Sequence, residues 1–182
     1  MAAVIGALLD FLFGGTDDDA DVLPLDQSYV PGHTPSLACM ESGCGECCER
    51  WRVAIHEAGH VLAFDDLGEP WEFAEVCEDV DGAPAGGRVR PVTDNDVEAL
   101  DPPGVYRHLV ISHAGHAAEC AVFRQFTEST GDVVLHDELM ERCLDPDVDD
   151  QAWEHAESLI LDDLASLEQT AQALFLDRVI YP

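Results

Sequence analysis

The chain contains no lysine. Its basic residues are eight arginines, set against 38 acidic residues in 182, for a formal net charge of −30. The missing lysine excludes a phosphate-cradling G-x-x-x-x-G-K-S/T loop, and with it an ATPase module of that type in this sequence. The shortage of positive charge makes nucleic acid an unfit partner, because its phosphates would be repelled. Also missing is an apolar run of the about 20 residues that a bilayer span requires. Residues 4 to 13 are apolar but too short, and they lack the basic stretch that opens a secretory signal. They are expected to dock on the core or on a partner. The expectation is a cytoplasmic protein with no transmembrane span.

Acid-rich chains are often disordered, but here the acids alternate with apolar residues at helical spacing. Hydrophobic residues make up 47% of the sequence, enough for one domain with a sizeable core. Such an acidic surface suits high salt, where screening removes self-repulsion, so a halophilic source is expected. The seven cysteines are odd in number and follow no signal, so reduced thiols are the default. Cys39, Cys44, Cys47 and Cys48 cluster ahead of the central motif. With or without His33 they offer ligands for a structural zinc, although free or redox-active thiols are the simpler reading. Cys77, Cys120 and Cys143 read as small core residues.

Residues 1 to 37 read as an apolar segment followed by an acidic, proline-rich linker, and residues 38 to 182 as the domain. The pattern predicts a helix over about 49 to 65, ended by Gly68 and Pro70. Two short strands are expected at 71 to 77 and 87 to 93. A helix over 104 to 126 carries a stripe of Val110, Ala114, Ala117, Ala118 and Ala121, which would let the first helix approach closely. A third helix should begin near Leu135, and a fourth should span about 148 to 178. The fold class is mainly α (α+β), with a small β-hairpin after the first helix.

That first helix carries His56-Glu57-Ala58-Gly59-His60 in an apolar frame. Histidines four apart on a helix point within about 40° of each other, so both imidazoles can hold one zinc ion. Glu57 lies where it can act as base toward a water on that metal. Gly59 costs roughly 1 kcal/mol relative to alanine in a helix, but it leaves room for close packing. A catalytic zinc needs a third protein ligand and an open position. Asp132, Asp137, Glu119, His113 and His116 are the candidates, Glu119 reading better as a carboxylate that orients a ligand. His113 and His116 read better as surface or supporting groups.

Val53-Ala54-Ile55-His56-Glu57-Ala58-Gly59-His60-Val61 resembles the peptidase domain of FtsH-type zinc proteases, whose helix reads V-A-x-H-E-A-G-H-A. Ala114-Gly115-His116-Ala117-Ala118-Glu119 resembles that family's G-R-A-A-E-E helix, with His116 in the place of its arginine. Ser129-Thr130-Gly131, followed by Asp137, resembles its S-T-G-A-S-N-D segment, in a form about two residues longer. The resemblance covers roughly residues 50 to 145. It implies a zinc metalloendopeptidase with His56, His60 and Asp137 holding Zn2+ and Glu57 as the catalytic base. Asp132 is the other aspartate in reach. The resemblance also implies a protein or peptide substrate lying extended beside an edge strand at 71 to 77. Any ATP dependence would require an ATPase on a partner chain, and homo-oligomer assembly stays open. Two other readings remain. One is a non-catalytic, zinc-stabilised interaction protein, and the other a small zinc hydrolase acting on a non-peptide substrate.

Overall fold

The computed structural model describes residues 45 to 78, 84 to 92, 97 to 124, 130 to 143, 145 and 147 to 182. The apolar segment and linker, His33, Cys39 and Cys44 lie outside the described residues. The fold is mainly helical with one small antiparallel sheet, as the pattern predicts.

Helix α1 (Gly45–Leu67) ends at Gly68, whose φ of +68° is the left-handed conformation that favours glycine. Strands β1 (Trp71–Glu78) and β2 (Pro84–Pro91) follow as an antiparallel pair. After a short 3-10 turn, α2 (Pro102–Phe123) begins at Asp101. The Asp101 carboxylate accepts the Gly104 N–H at 2.8 Å, and the adjacent prolines suit a first turn that needs no further donors. Helix α3 is Thr130–Met140, α4 Val148–Asp162 and α5 Leu164–Asp177, and β3 (Val179–Ile180) closes the chain order.

Three expectations are corrected. The helix expected near Leu135 starts at Thr130, which places Asp132 in its first turn. The single helix over 148 to 178 is two, broken at Asp163, whose side chain caps α5 by accepting the Ser166 N–H at 3.0 Å. The third concerns the sheet. Its order is β2-β1-β3, so β1 is the middle strand and β2 an edge. The two-residue β3, paired at Ala74 and Glu75, covers the side of β1 that the hairpin alone would leave open.

The core is the space between α1, α2, α4 and α5. Ile55, Leu109, Val110, Ile160, Leu167 and Leu174 are fully buried there. Each such side chain is worth about 1.5–3 kcal/mol of transfer free energy. The small-residue stripe does bring α1 and α2 together. A Cβ on Gly59 would lie 2.4 Å from the Ala114 carbonyl oxygen and 2.8 Å from the Ala118 Cβ, so only glycine permits this approach. Among the described residues, no helix is long and apolar enough to cross a membrane.

Candidate metal centre

His56, Glu57 and His60 are all buried on α1, the two histidines against α2 and Glu57 against β2. The helical spacing brings the two Nε2 atoms to 3.1 Å from each other. Asp132, from the first turn of α3, completes a triangle. Its Oδ2 stands 2.8 Å from His56 Nε2 and its Oδ1 3.5 Å from His60 Nε2. Four donors arranged tetrahedrally about zinc at about 2.0–2.2 Å sit roughly 3.3–3.6 Å apart. Of the observed edges, 3.5 Å falls in that range, while 3.1 Å and 2.8 Å are shorter, at hydrogen-bond length.

The other ring nitrogens set where the protons are. His60 Nδ1–H donates to the Ile111 carbonyl oxygen at 2.7 Å, and His56 Nδ1–H donates to Glu119 Oε1 at 2.7 Å. A neutral imidazole carries one N–H, so both Nε2 atoms then present lone pairs. Two lone pairs and a carboxylate converge with no donor between them, and a cation is what relieves that arrangement. With no metal the cation is a proton. Burial works against a charged His56, but its hydrogen bonds to Asp132 and Glu119 outweigh burial and push its pKa up to about 10. Burial likewise opposes ionisation of Asp132, yet its bonds to both histidines hold its pKa far below the usual carboxylate range. The Asp132 carboxylate is 18% exposed, so the triangle opens to solvent on its side.

Space for an ion comes from α2. A Cβ on Gly115 would stand 2.6 Å from His56 Nε2 and 2.7 Å from His60 Nε2, so α2 presents bare backbone to both donor atoms. Glu57 is enclosed beside them, and among the described residues its Oε2 has no hydrogen-bond partner. Burial raises its pKa, against the opposing pull of His60 and His56. Strand β2 lies directly on it. A Cβ on Gly87 would fall 2.5 Å from Glu57 Cγ and 2.7 Å from its Oε1. The buried His116 ring lies 5.3 Å from that of His56, edge to face, and burial lowers its pKa.

The donor set fits a zinc-type ion, with two imidazole nitrogens and one carboxylate. Of the residues read from the sequence, His56, Glu57 and His60 come together as expected, and Glu119 orients His56. Asp137 does not join them. Its side chain is 75% exposed, and its Oδ1 lies 3.6 Å from His136 Nδ1. Asp132 occupies the place that the resemblance gave to Asp137. The two are five residues apart, which is about 140° around a helix, so α3 can turn only one of them inward. His113 turns away from His56 and pairs with Asp149. His136 and Asp149 had no local signal to single them out.

No family model matches the chain. Over 93 residues, 51% of its length, it is 30% identical to the ATP-dependent zinc metalloprotease FtsH 2 of Conexibacter woesei. The match covers 13% of that protein's length, so the chain spans only a small part of the relative it resembles.

Proposed function

We propose that this centre is a zinc-dependent endopeptidase site, with His56, His60 and Asp132 holding the ion and Glu57 as the catalytic base. One observation carries the reading. Two imidazole nitrogens and a carboxylate converge, directly beside a buried carboxylate whose Oε2 has no hydrogen-bond partner among the described residues. A closed structural site has no use for such a carboxylate. The partial likeness to a zinc metalloprotease supports the same reading.

Zn2+ bound there would supply Lewis acidity, activating water and polarising a carbonyl oxygen. Glu57 Oε2 then takes a proton from water and later delivers it to the leaving amine. Burial suits it to both tasks, because a raised pKa makes the carboxylate a better base and its acid form easier to reach. The Glu119 carboxylate strengthens His56 as a donor, and the Ile111 carbonyl fixes the orientation of His60. A peptide substrate fits the edge of the sheet. Strand β2 is an edge strand, and its Gly87 touches Glu57, so a peptide adding to that edge passes close to the base.

The test is cleavage of an unfolded, fluorescently labelled protein by the zinc-loaded chain. Glu57→Gln should keep zinc and lose at least about 100-fold in rate, the low end of a general base's contribution. Asp132→Asn should lose both zinc and activity, and Asp137→Asn should lose neither. Wild-type activity in Glu57→Gln would remove the base. The reverse ranking of the two aspartates would remove Asp132. Ester hydrolysis without peptide cleavage would assign the centre a non-peptide substrate.

A further inference from the structure

We infer that His113, His136 and Asp149 form a second divalent-cation site, which ties α3 to α2 and α4. The three residues come from three helices. His113 is on α2, His136 on α3 and Asp149 in the first turn of α4. Their donor atoms converge on one point. His113 Nε2 is 2.7 Å and His136 Nε2 2.9 Å from the same oxygen, Asp149 Oδ1.

In the metal-free protein both rings can donate Nε2–H to that one oxygen. A divalent ion would take the place of those two protons, each ring then carrying its proton on Nδ1, and Asp137 Oδ1 lies 3.6 Å from that nitrogen of His136. The donor set, two imidazoles and one carboxylate, suits zinc and its neighbours better than magnesium or calcium. The ring of His113 is held edge-on to Trp153 at 5.4 Å, which fixes its direction. The side chains are 13%, 26% and 36% exposed for His113, His136 and Asp149, so an ion can enter and water can complete its shell.

The site also meets a structural need. Among the described residues of α3, only Leu139 is buried, while Val133 and Val134 are exposed. Apolar packing therefore anchors α3 weakly. His136 follows Asp132 by four residues, so both leave α3 on one face. One reaches the His56–His60 centre, and the other reaches Asp149. An ion on His136 would hold the helix that presents Asp132.

Zinc equivalents retained by the full chain after equilibrium dialysis test this directly. His136→Gln and Asp149→Asn should each retain one equivalent fewer than wild type, and His60→Gln should lose a different one, so that His60→Gln/His136→Gln loses two. Zinc held by cysteines is common to all forms and drops out of the differences. Wild-type zinc content in both His136→Gln and Asp149→Asn would overturn the site. Should those variants misfold by circular dichroism, the unmutated protein decides. Imidazole 15N signals of His113 and His136 should move to metal-bound positions on zinc titration. Signals that stay unmoved would refute the site, whatever the His56 and His60 signals do.

Discussion

Replacing Gly115 by alanine places a single methyl group against the His56–His60 pair. Its Cβ would stand 2.6 Å from His56 Nε2, and that nitrogen must retreat by about 0.8 Å to reach 3.4 Å, the inner limit of ordinary contact. His60 Nε2, at 2.7 Å, faces nearly the same demand. Metal sites hold their distances to within about 0.2 Å, so the displacement is several times what the centre tolerates. Even changes one shell out from a metal cost about 10–100-fold in affinity, and moving two ligands together should cost at least about 100-fold. The fold itself should change little. Alanine gains up to about 1 kcal/mol of helix propensity over glycine, and overpacking costs about 1–3 kcal/mol. The assay is a zinc titration followed at the imidazole 15N signals of His56 and His60, with thermal unfolding of the metal-free protein alongside. Gly68→Ala is the control. Among the described residues no atom lies within 4 Å of its added Cβ, but its φ of +68° is unfavourable for alanine, so it should lower stability and leave zinc affinity unchanged. If Gly115→Ala binds zinc at His56 and His60 within threefold of wild type, the reasoning about this cradle fails.

The metal-free protein should be most stable between about pH 4 and pH 7. His56 gains a proton affinity in the fold, so its contribution is whole below about pH 6.5 and is lost as pH rises through about 10. Asp132 works the other way, its contribution being present above about pH 4 and lost as pH falls below that. Thermal unfolding across this range should show both limbs, with zinc flattening the alkaline one. A metal-free protein equally stable at pH 6.5 and pH 10 would contradict the His56 assignment. Salt gives a further prediction. A net charge of −30 repels itself in dilute buffer, and at 1 M salt the screening length falls to about 3 Å. Stability and activity should therefore rise from dilute buffer to molar KCl, and a flat response would dismiss the high-salt reading of the surface.

Local chemistry made much of the fold legible. Gly68 and Pro70 mark the end of α1, and Gly59 opposite Ala114 and Ala118 marks its contact with α2. The His56–Glu57–His60 grouping is a property of one helix and needs no tertiary information. What escaped the sequence depends on register or on distant partners. Gly131 and the β-branched Val133 and Val134 argue for a late helix start, yet α3 begins at Thr130. That shift decides which of two aspartates faces the histidines. Asp163 reads as one more polar residue along a helical stripe, and only its capping bond to Ser166 shows the break. The placing of β1 in the middle of its sheet comes from a two-residue strand about 100 residues downstream. His113, His136 and Asp149 lie far apart in the chain, and nothing local relates them.

The two histidines of the opening motif look interchangeable, since the pentapeptide begins and ends with the same residue. The fold makes them unequal. His56 leans on an anionic carboxylate and His60 on a neutral peptide carbonyl. A histidine backed by a carboxylate takes on imidazolate character and gives more electron density to whatever it binds. For an ion bound there, His56 would be the firm anchor and His60 the looser one. Acid or a competing chelator should detach an ion from the His60 side first, giving the centre a direction of release that its near-symmetrical sequence does not announce.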